Sequence, residues 1–291
     1  MSTVAVFLLS LFTTLAVYGE IYTARDLGTL AMDRSEARSL NENGWVIGKC
    51  FQGKTVSDFF WTSKSGLQIL TNEADKEIFP QINNLGNVVG FLLKPGSWLS
   101  SDQLQTYTFS LSKGFQLQGT KSRDDGVTLL LNDRVMIICD HLNIFESTYN
   151  FLFKGEEMAR LFPPFGDLKT YPAALNNVSQ ILTSVESPGI FHTSLLANHL
   201  LQIFDLTTGE STEIASDQPY RGCALNDSGV VIAQDKKGRE GFYGSKELGM
   251  QSLGDFIPTA LNGNGDIVGK RGKNVLLRTS DGAMMDLNKE T

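Results

Sequence analysis

The chain is poor in the residues that would mark it as an obvious enzyme or metalloprotein. It has three histidines in 291 residues. His141, His192 and His199 show no HExxH or paired-cysteine spacing of the kind that holds zinc. It has three cysteines, Cys50, Cys139 and Cys223. An odd count is not a disulfide framework, so no structural disulfide is expected and each reads as a core residue. There is no G-x-S-x-G elbow to present a nucleophilic serine. Positive charge is also short: the net charge is −7, the wrong sign for a uniform nucleic-acid surface. A modest negative balance is explained by solubility. After residue 19 no apolar run is long enough to span a bilayer. No stretch there carries a sustained 3.6-residue period with caps, so almost no helix is expected.

What is present is a globular composition, 41% hydrophobic and 20% charged, on a chain long enough to bury a sizeable core. Glycines number 28 and prolines 8, a balance that suits many tight turns between short strands. The first nineteen residues differ from the rest. Val4 to Val17 is apolar except for Ser10, Thr13 and Thr14, and Val17 and Gly19 precede a small-residue cut before Glu20. The run is too short for a membrane helix and reads as a cleaved signal peptide over 1–19. No Lys or Arg precedes Arg25, which departs from the usual basic start. An uncleaved anchor and a buried first helix are the alternatives. Residues 20–291 then form one domain, secreted or periplasmic.

A short pattern recurs through that domain: Leu or Ile, Asn, a few turn residues often ending in Gly, then branched apolar residues. Its copies begin at Leu40-Asn41, Ile82-Asn83, Leu131-Asn132, Leu175-Asn176, Leu225-Asn226 and Leu261-Asn262. The Asn anchors are 42, 49, 44, 50 and 36 residues apart, bracketing the ~40–50-residue period of propeller blades. The physics is that of a hairpin. Asn bonds its side chain to the backbone two residues on, a Gly three residues on turns the chain, and the branched pair resumes a strand. Gly44, Gly86, Gly229 and Gly265 stand at the turn position; repeats three and four carry Val135 and Ser179 instead, so their turns must be built differently.

Each anchor is followed by a second hairpin. The clearest is Asp58–Thr62, a Ser63-Lys64-Ser65-Gly66 turn, and Leu67–Leu70. Two hairpins per repeat give four short antiparallel strands, the unit of a propeller. The expected fold is all-β: a β-propeller of about six such blades, with five or seven as alternatives. The count hinges on closure. Tyr22–Gly28 resembles the fourth strand of a blade and could complete the last one; Met284–Leu287 competes for the same position.

The longer spacings mark insertions at 91–105 and 186–200. They bring Pro95-Gly96-Ser97-Trp98 and Pro188-Gly189-Ile190-Phe191-His192. Insertions in repeat proteins emerge as loops on one face, often the binding face. Trp98, Phe191 and His192 are the candidate partner contacts, with neutral decoration as the alternative.

Other motifs are weaker. Gly48-Lys49-Cys50-Phe51-Gln52-Gly53-Lys54-Thr55 fits the phosphate loop G-x-x-x-x-G-K-[ST]. The helix that loop needs is not predicted after it, because Val56–Trp61 reads as strand. Asn262–Asp266 has one carboxylate where calcium takes several oxygens, so a plain turn is expected. Asn177 and Asn226 begin Asn-x-Ser sequons but sit on repeat turns. The acidic pairs Asp124-Asp125 and Glu156-Glu157 read as solvated loops. No catalytic residue, cofactor site or metal site is assigned.

The repeats resemble the probable extracellular repeat known as the HAF family. Asp26-Leu27-Gly28-Thr29-Leu30 is similar to that family's lead, and Asn83–Gly90 and Asn262–Gly269 to its turn. Phe59-Phe60-Trp61 is similar to its aromatic strand in aromatic character only, and no His-Ala-Phe triplet occurs. The resemblance covers about residues 21–288. It implies an exported repeat protein and brings no catalytic residues. The expectation is a non-enzymatic binding or scaffold module for a protein or glycan partner, without nucleic acid or a stable membrane span, and monomeric. The alternative is a propeller hydrolase or lyase acting on polysaccharide.

Overall fold

Branched and aromatic runs separated by Asn, Gly, Ser and Asp turns become strands because such side chains fit a pleated, half-buried surface. The computed structural model describes residues 27–28, 31–72, 74, 80–96, 102–122, 127–140, 148–153, 158–161, 169–186 and 199–287. Within them lie six four-stranded antiparallel sheets, each made of four consecutive strands. The first holds β1 (Arg34–Leu40), β2 (Val46–Gln52), β3 (Thr55–Thr62) and β4 (Gly66–Thr71). The second holds β5 (Gln81–Ile82), β6 (Val88–Lys94), β7 (Gln103–Ser110) and β8 (Gly114–Ser122). The third holds β9 (Val127–Leu131), β10 (Val135–Asp140), β11 (Thr148–Phe153) and β12 (Met158–Leu161). The fourth holds β13 (Lys169–Leu175), β14 (Gln180–Glu186), β15 (His199–Asp205) and β16 (Ser211–Ala215). The fifth holds β17 (Tyr220–Leu225), β18 (Val231–Asp235), β19 (Gly241–Ser245) and β20 (Gly249–Gly254). The sixth holds β21 (Ile257–Leu261), β22 (Ile267–Arg271), β23 (Asn274–Arg278) and β24 (Met284–Asp286). The first strands of consecutive sheets neighbour one another in order, β1 to β5, β9, β13, β17 and β21. The fold is an all-β propeller of four-stranded blades.

The sheets are equivalent in detail. In the first, fourth, fifth and sixth, the inner strand carries an irregularity at one repeat position, where Arg38, Ala173, Cys223 and Thr259 have no register partner. An extra residue in one strand bends it and sharpens its twist. Both hairpins of each repeat fall where the sequence places them. Two turns solve the missing glycine differently. Ser179 adopts φ +66°, the left-handed conformation that Gly44, Gly86, Gly229 and Gly265 hold in the other repeats. In the third repeat β10 starts at Val135 itself, so the turn is shorter.

The core lies between sheets. Ile47 and Phe60 of the first meet Ile82, Val88 and Tyr107 of the second. Val89, Phe91 and Leu104 meet Leu129 of the third. Leu182, Leu201 and Ile203 of the fourth meet Tyr220, Val231 and Phe242 of the fifth. Ile232 meets Ile267 and Leu276 of the sixth, together with Phe256 from the connection that leads into it. Cys50 is buried with Val46, Phe59 and Trp61.

Gly48, which follows Val46-Ile47 in β2, has a packing reason. A Cβ on Gly48 would stand 2.0 Å from the Glu36 carbonyl oxygen and 2.8 Å from the Phe59 ring. Gly48→Ala must push β1 off β2. The expected loss is about 1–3 kcal/mol, read as a lower urea midpoint. An unchanged midpoint would show that the inner strand yields freely.

The two competitors for the last outer strand are separated. Met284–Asp286 pairs with β23 and fills that position. Leu27, at the end of the rival segment, packs with Met32 on the first sheet, against the cluster of Val46, Cys50, Phe59 and Trp61. Residues 22–26 lie outside the described residues. No helix among the described residues is long and apolar enough to cross a membrane.

Candidate functional site

The repeat asparagines do two jobs, and the sequence reading saw one. Each Oδ1 accepts from its own turn, as when Asn43 N–H and Trp45 N–H donate to Asn41. The Nδ2 of each of the first five donates to the anchor carbonyl of the next sheet. Asn41 reaches Asn83 O at 3.0 Å, Asn83 reaches Asn132 O at 2.9 Å, and Asn132 reaches Asn176 O at 2.7 Å. Asn176 reaches Asn226 O at 3.1 Å, and Asn226 reaches Asn262 O at 3.1 Å. The Asn amide, with an acceptor oxygen and a two-proton donor nitrogen on separate atoms, can do both at once.

A second ladder runs beside the first. Glu42 N–H donates to Asn84 Oδ1, Asn84 N–H to Asp133 Oδ1, Asp133 N–H to Asn177 Oδ1, and Asn177 N–H to Asp227 Oδ1. The signal for it was present as an acid or amide after each of the first five anchors. The corner end of the ring is therefore bound up in its own hydrogen bonds. This accounts for the sequon residues: Asn226 is buried in the first ladder, and Asn177 serves the second. It accounts equally for Asn262–Asp266, where Asp266 accepts from Asn262 Nδ2 and from Ser280 N–H. No group of three His, Cys, Asp or Glu placed to hold a metal occurs among the described residues.

The phosphate-loop match resolves into a sheet. Gly53 and Lys54 make the tight turn between β2 and β3, with no helix following. Lys49 is fully buried and its Nζ lies 2.8 Å from Asp58 Oδ1. The Tyr107 hydroxyl donates to Asp58 Oδ2 at 2.7 Å from the second sheet. Burial, then the Asp58 charge, push the Tyr107 hydroxyl well above its usual value of 10. A buried ion pair capped by a tyrosine was not legible, since Lys49 and Asp58 look like solvent-facing partners of one hairpin and Tyr107 comes from another sheet, 49 residues from Asp58.

All pairings within a sheet are antiparallel, so the second-to-third strand connections lie at the end opposite the Asn corners. The two insertions belong there: they join β6 to β7 and β14 to β15. The corresponding turns of the first and sixth sheets are tight, at 53–54 and 272–273. Trp98, Phe191 and His192 fall outside the described residues, as do His141, Asp124-Asp125 and Glu156-Glu157. What is described is the foot of each loop. Glu186 and His199 are in register at the base of the second, and His199 Nδ1 is buried without a hydrogen-bond partner among the described residues. Buried polar atoms are normally paired, so this nitrogen is an unused hydrogen-bonding group at the hairpin end. Elsewhere, burial raises the Cys223 thiol to about 11, which leaves it a poor nucleophile.

No protein-family model and no curated protein sequence matches the chain. Solved structures do. Virginiamycin B lyase from Staphylococcus aureus is similar over 86% of this chain and 83% of its own, with a TM-score of 0.54 and 8% identity. The β-propeller domain of the Trilobed protease from Pyrococcus furiosus, described as having an open velcro topology, is similar over 88% of this chain and 83% of its own. Its TM-score is 0.59, with 10% identity. An acylaminoacyl peptidase is similar over 87% of this chain, at a TM-score of 0.63 and 12% identity, but this chain spans only 44% of that one. At such identities the likeness is one of fold alone, and it makes this protein a β-propeller of repeating blades.

Proposed function

We propose that the protein is an exported, non-catalytic propeller that binds a protein or glycan partner through its hairpin end, as a monomer. The observation that supports this most is the asymmetry between the two ends. At the corner end the exposed backbone and the carboxylates of Asp133 and Asp227 are used to join one sheet to the next. The hairpin end carries the long loops and His199 Nδ1, buried without a hydrogen-bond partner among the described residues. Loops positioned by a rigid scaffold are where recognition concentrates. Trp98 and Phe191 supply the large, stiff side chains that anchor interfaces. Export follows from the signal-like 1–19 and agrees with the resemblance to the HAF repeats. The polysaccharide hydrolase or lyase reading needs carboxylates converging on one funnel mouth, and Asp133 and Asp227 are already engaged by backbone amides.

The test is to replace 95–102 and 187–198 with Asn-Gly turns and compare the full chain and the variant on an array of polysaccharide fragments and secreted-protein peptides. Binding should fall at least tenfold, with the melting temperature unchanged. Equal binding by both proteins would remove the hairpin end from recognition. Release of sugar fragments by the full chain would replace this reading with the hydrolase or lyase one.

A further inference from the structure

The outer strand of the second sheet is built unlike the other outer strands. β8 runs for 9 residues, Gly114–Ser122, against 3 to 6 for β4, β12, β16, β20 and β24 among the described residues. It pairs with β7 on one side, and no described strand runs along the other. Sheet edges are normally kept short, charged or broken by proline, because a bare row of backbone N–H and C=O groups is a template for another strand. Gly114 to Thr120 carries neither charge nor proline. Its irregularity falls after Leu117, so Gly114 to Leu117 pairs regularly. The apolar side chains of that stretch are uncovered. Phe115 is 40% exposed and Leu117 is 54% exposed. By contrast, Leu67, Ile69 and Leu70 on β4 and Met250 and Leu253 on β20 are half-buried. Phe115 and Leu117 lie opposite Phe109 and Tyr107 on one face of the sheet. The Phe115 ring stacks on the Tyr107 ring with centroids 4.9 Å apart. Tyr107 is fully buried, so Phe115 is held as a stiff platform with its other side open.

We propose that the outer edge of β8 docks an extended segment of a partner protein as a fifth, antiparallel strand, and that this segment carries apolar residues at alternate positions and carboxylates at its C-terminal end. Strand addition draws affinity from main-chain hydrogen bonds and specificity from alternate side chains. Apolar residues two apart in the partner would cover Phe115 and Leu117 as cross-strand neighbours. The charge follows from what flanks the strand. Lys113 lies in the turn that leads into β8, and Lys64 lies in the corresponding turn of the first sheet. Both are exposed, and neither forms an ion pair among the described residues. In a chain of net charge −7 this end of the edge is locally positive. An antiparallel partner ends beside Lys113, so its carboxylates belong at its C-terminal end. The same lysines argue against a second copy of this chain. Antiparallel self-pairing centred on Leu117 would set Lys113 opposite Lys121 at both ends, and parallel self-pairing would set each lysine beside its own copy. Like charges directly opposite one another destabilise a sheet. The edge therefore selects a partner of the other sign. This inference is independent of the hairpin-end reading, because the rim of the second sheet is a separate surface.

The experiment uses the full chain and two fluorescent peptides as long as β8, each alternating valine and threonine. One has glutamates at its amidated C-terminal end, and the other has lysines there. Fluorescence anisotropy should show the glutamate peptide bound at least tenfold more tightly. Lys113→Glu should abolish that preference. Leu117→Lys should weaken binding of the glutamate peptide at least tenfold although it adds attractive charge, with the melting temperature unchanged. Binding of neither peptide, or equal binding of both, would overturn the proposal. So would a dimer in sedimentation that Leu117→Lys dissolves, which would assign the edge to a second copy. Binding that persists in Leu117→Lys but is lost when 95–102 and 187–198 are replaced would move the peptide to the hairpin end, and the proposal would fall while the hairpin-end reading stood.

Discussion

Asn83→Ala should cost about 3 kcal/mol, whereas Asn262→Ala should cost about 1 kcal/mol. Both residues cap a turn of the same design. Only Asn83 sends Nδ2 to the next sheet, and its removal leaves the buried Asn132 carbonyl without that donor. Asn262 is exposed, and water replaces what its side chain gives up. Equilibrium urea unfolding of the two variants measures the difference. Equal losses would mean that the inter-sheet bond contributes nothing and the turns are everything. Asn83→Asp is the harsher change, because a carboxylate would then face the Asn132 carbonyl oxygen where an amide N–H now donates.

The second large effect is expected at Asp58. Asp58→Asn keeps the shape but removes the carboxylate charge that lies 2.8 Å from the fully buried Lys49 Nζ, and should cost about 3–5 kcal/mol. Lys49→Met, Asp58→Leu and Tyr107→Phe together should recover most of that loss, because apolar groups of similar volume need no solvation. If the triple variant is as unstable as Asp58→Asn alone, the trio is holding the first and second sheets in register and not merely avoiding an unpaired charge. Tyr107 adds a pH dependence. Its folded pKa lies above the unfolded value, so its share of stability is intact below about pH 10 and is lost as pH rises beyond it. Tyr107→Phe should flatten the alkaline limb of the stability profile.

Much of the architecture could be read from local residues. The Leu-Asn corners, the second hairpins and even the exceptional turns at Val135 and Ser179 followed from what Asn, Gly and branched residues do within four or five positions. Closure could not be read this way. Tyr22–Gly28 and Met284–Leu287 carry similar strand character, and only the pairing of Met284–Asp286 with β23 separates them. The candidate contacts Trp98, Phe191 and His192 could be chosen as residue types. The reason to look at their end of the ring came from seeing the other end bonded to itself.

The sequence alone determined the strands, their turns and the period that stacks them, because each of those depends on neighbours along the chain. Tertiary structure decided which partner each polar group takes: Asn41 with Asn83, Glu42 with Asn84, Asp58 with Lys49 and Tyr107. Those choices depend on which residue lies across a sheet interface, 42 or 49 positions away for the partners from another sheet, and on desolvation that exists only once the interface has formed.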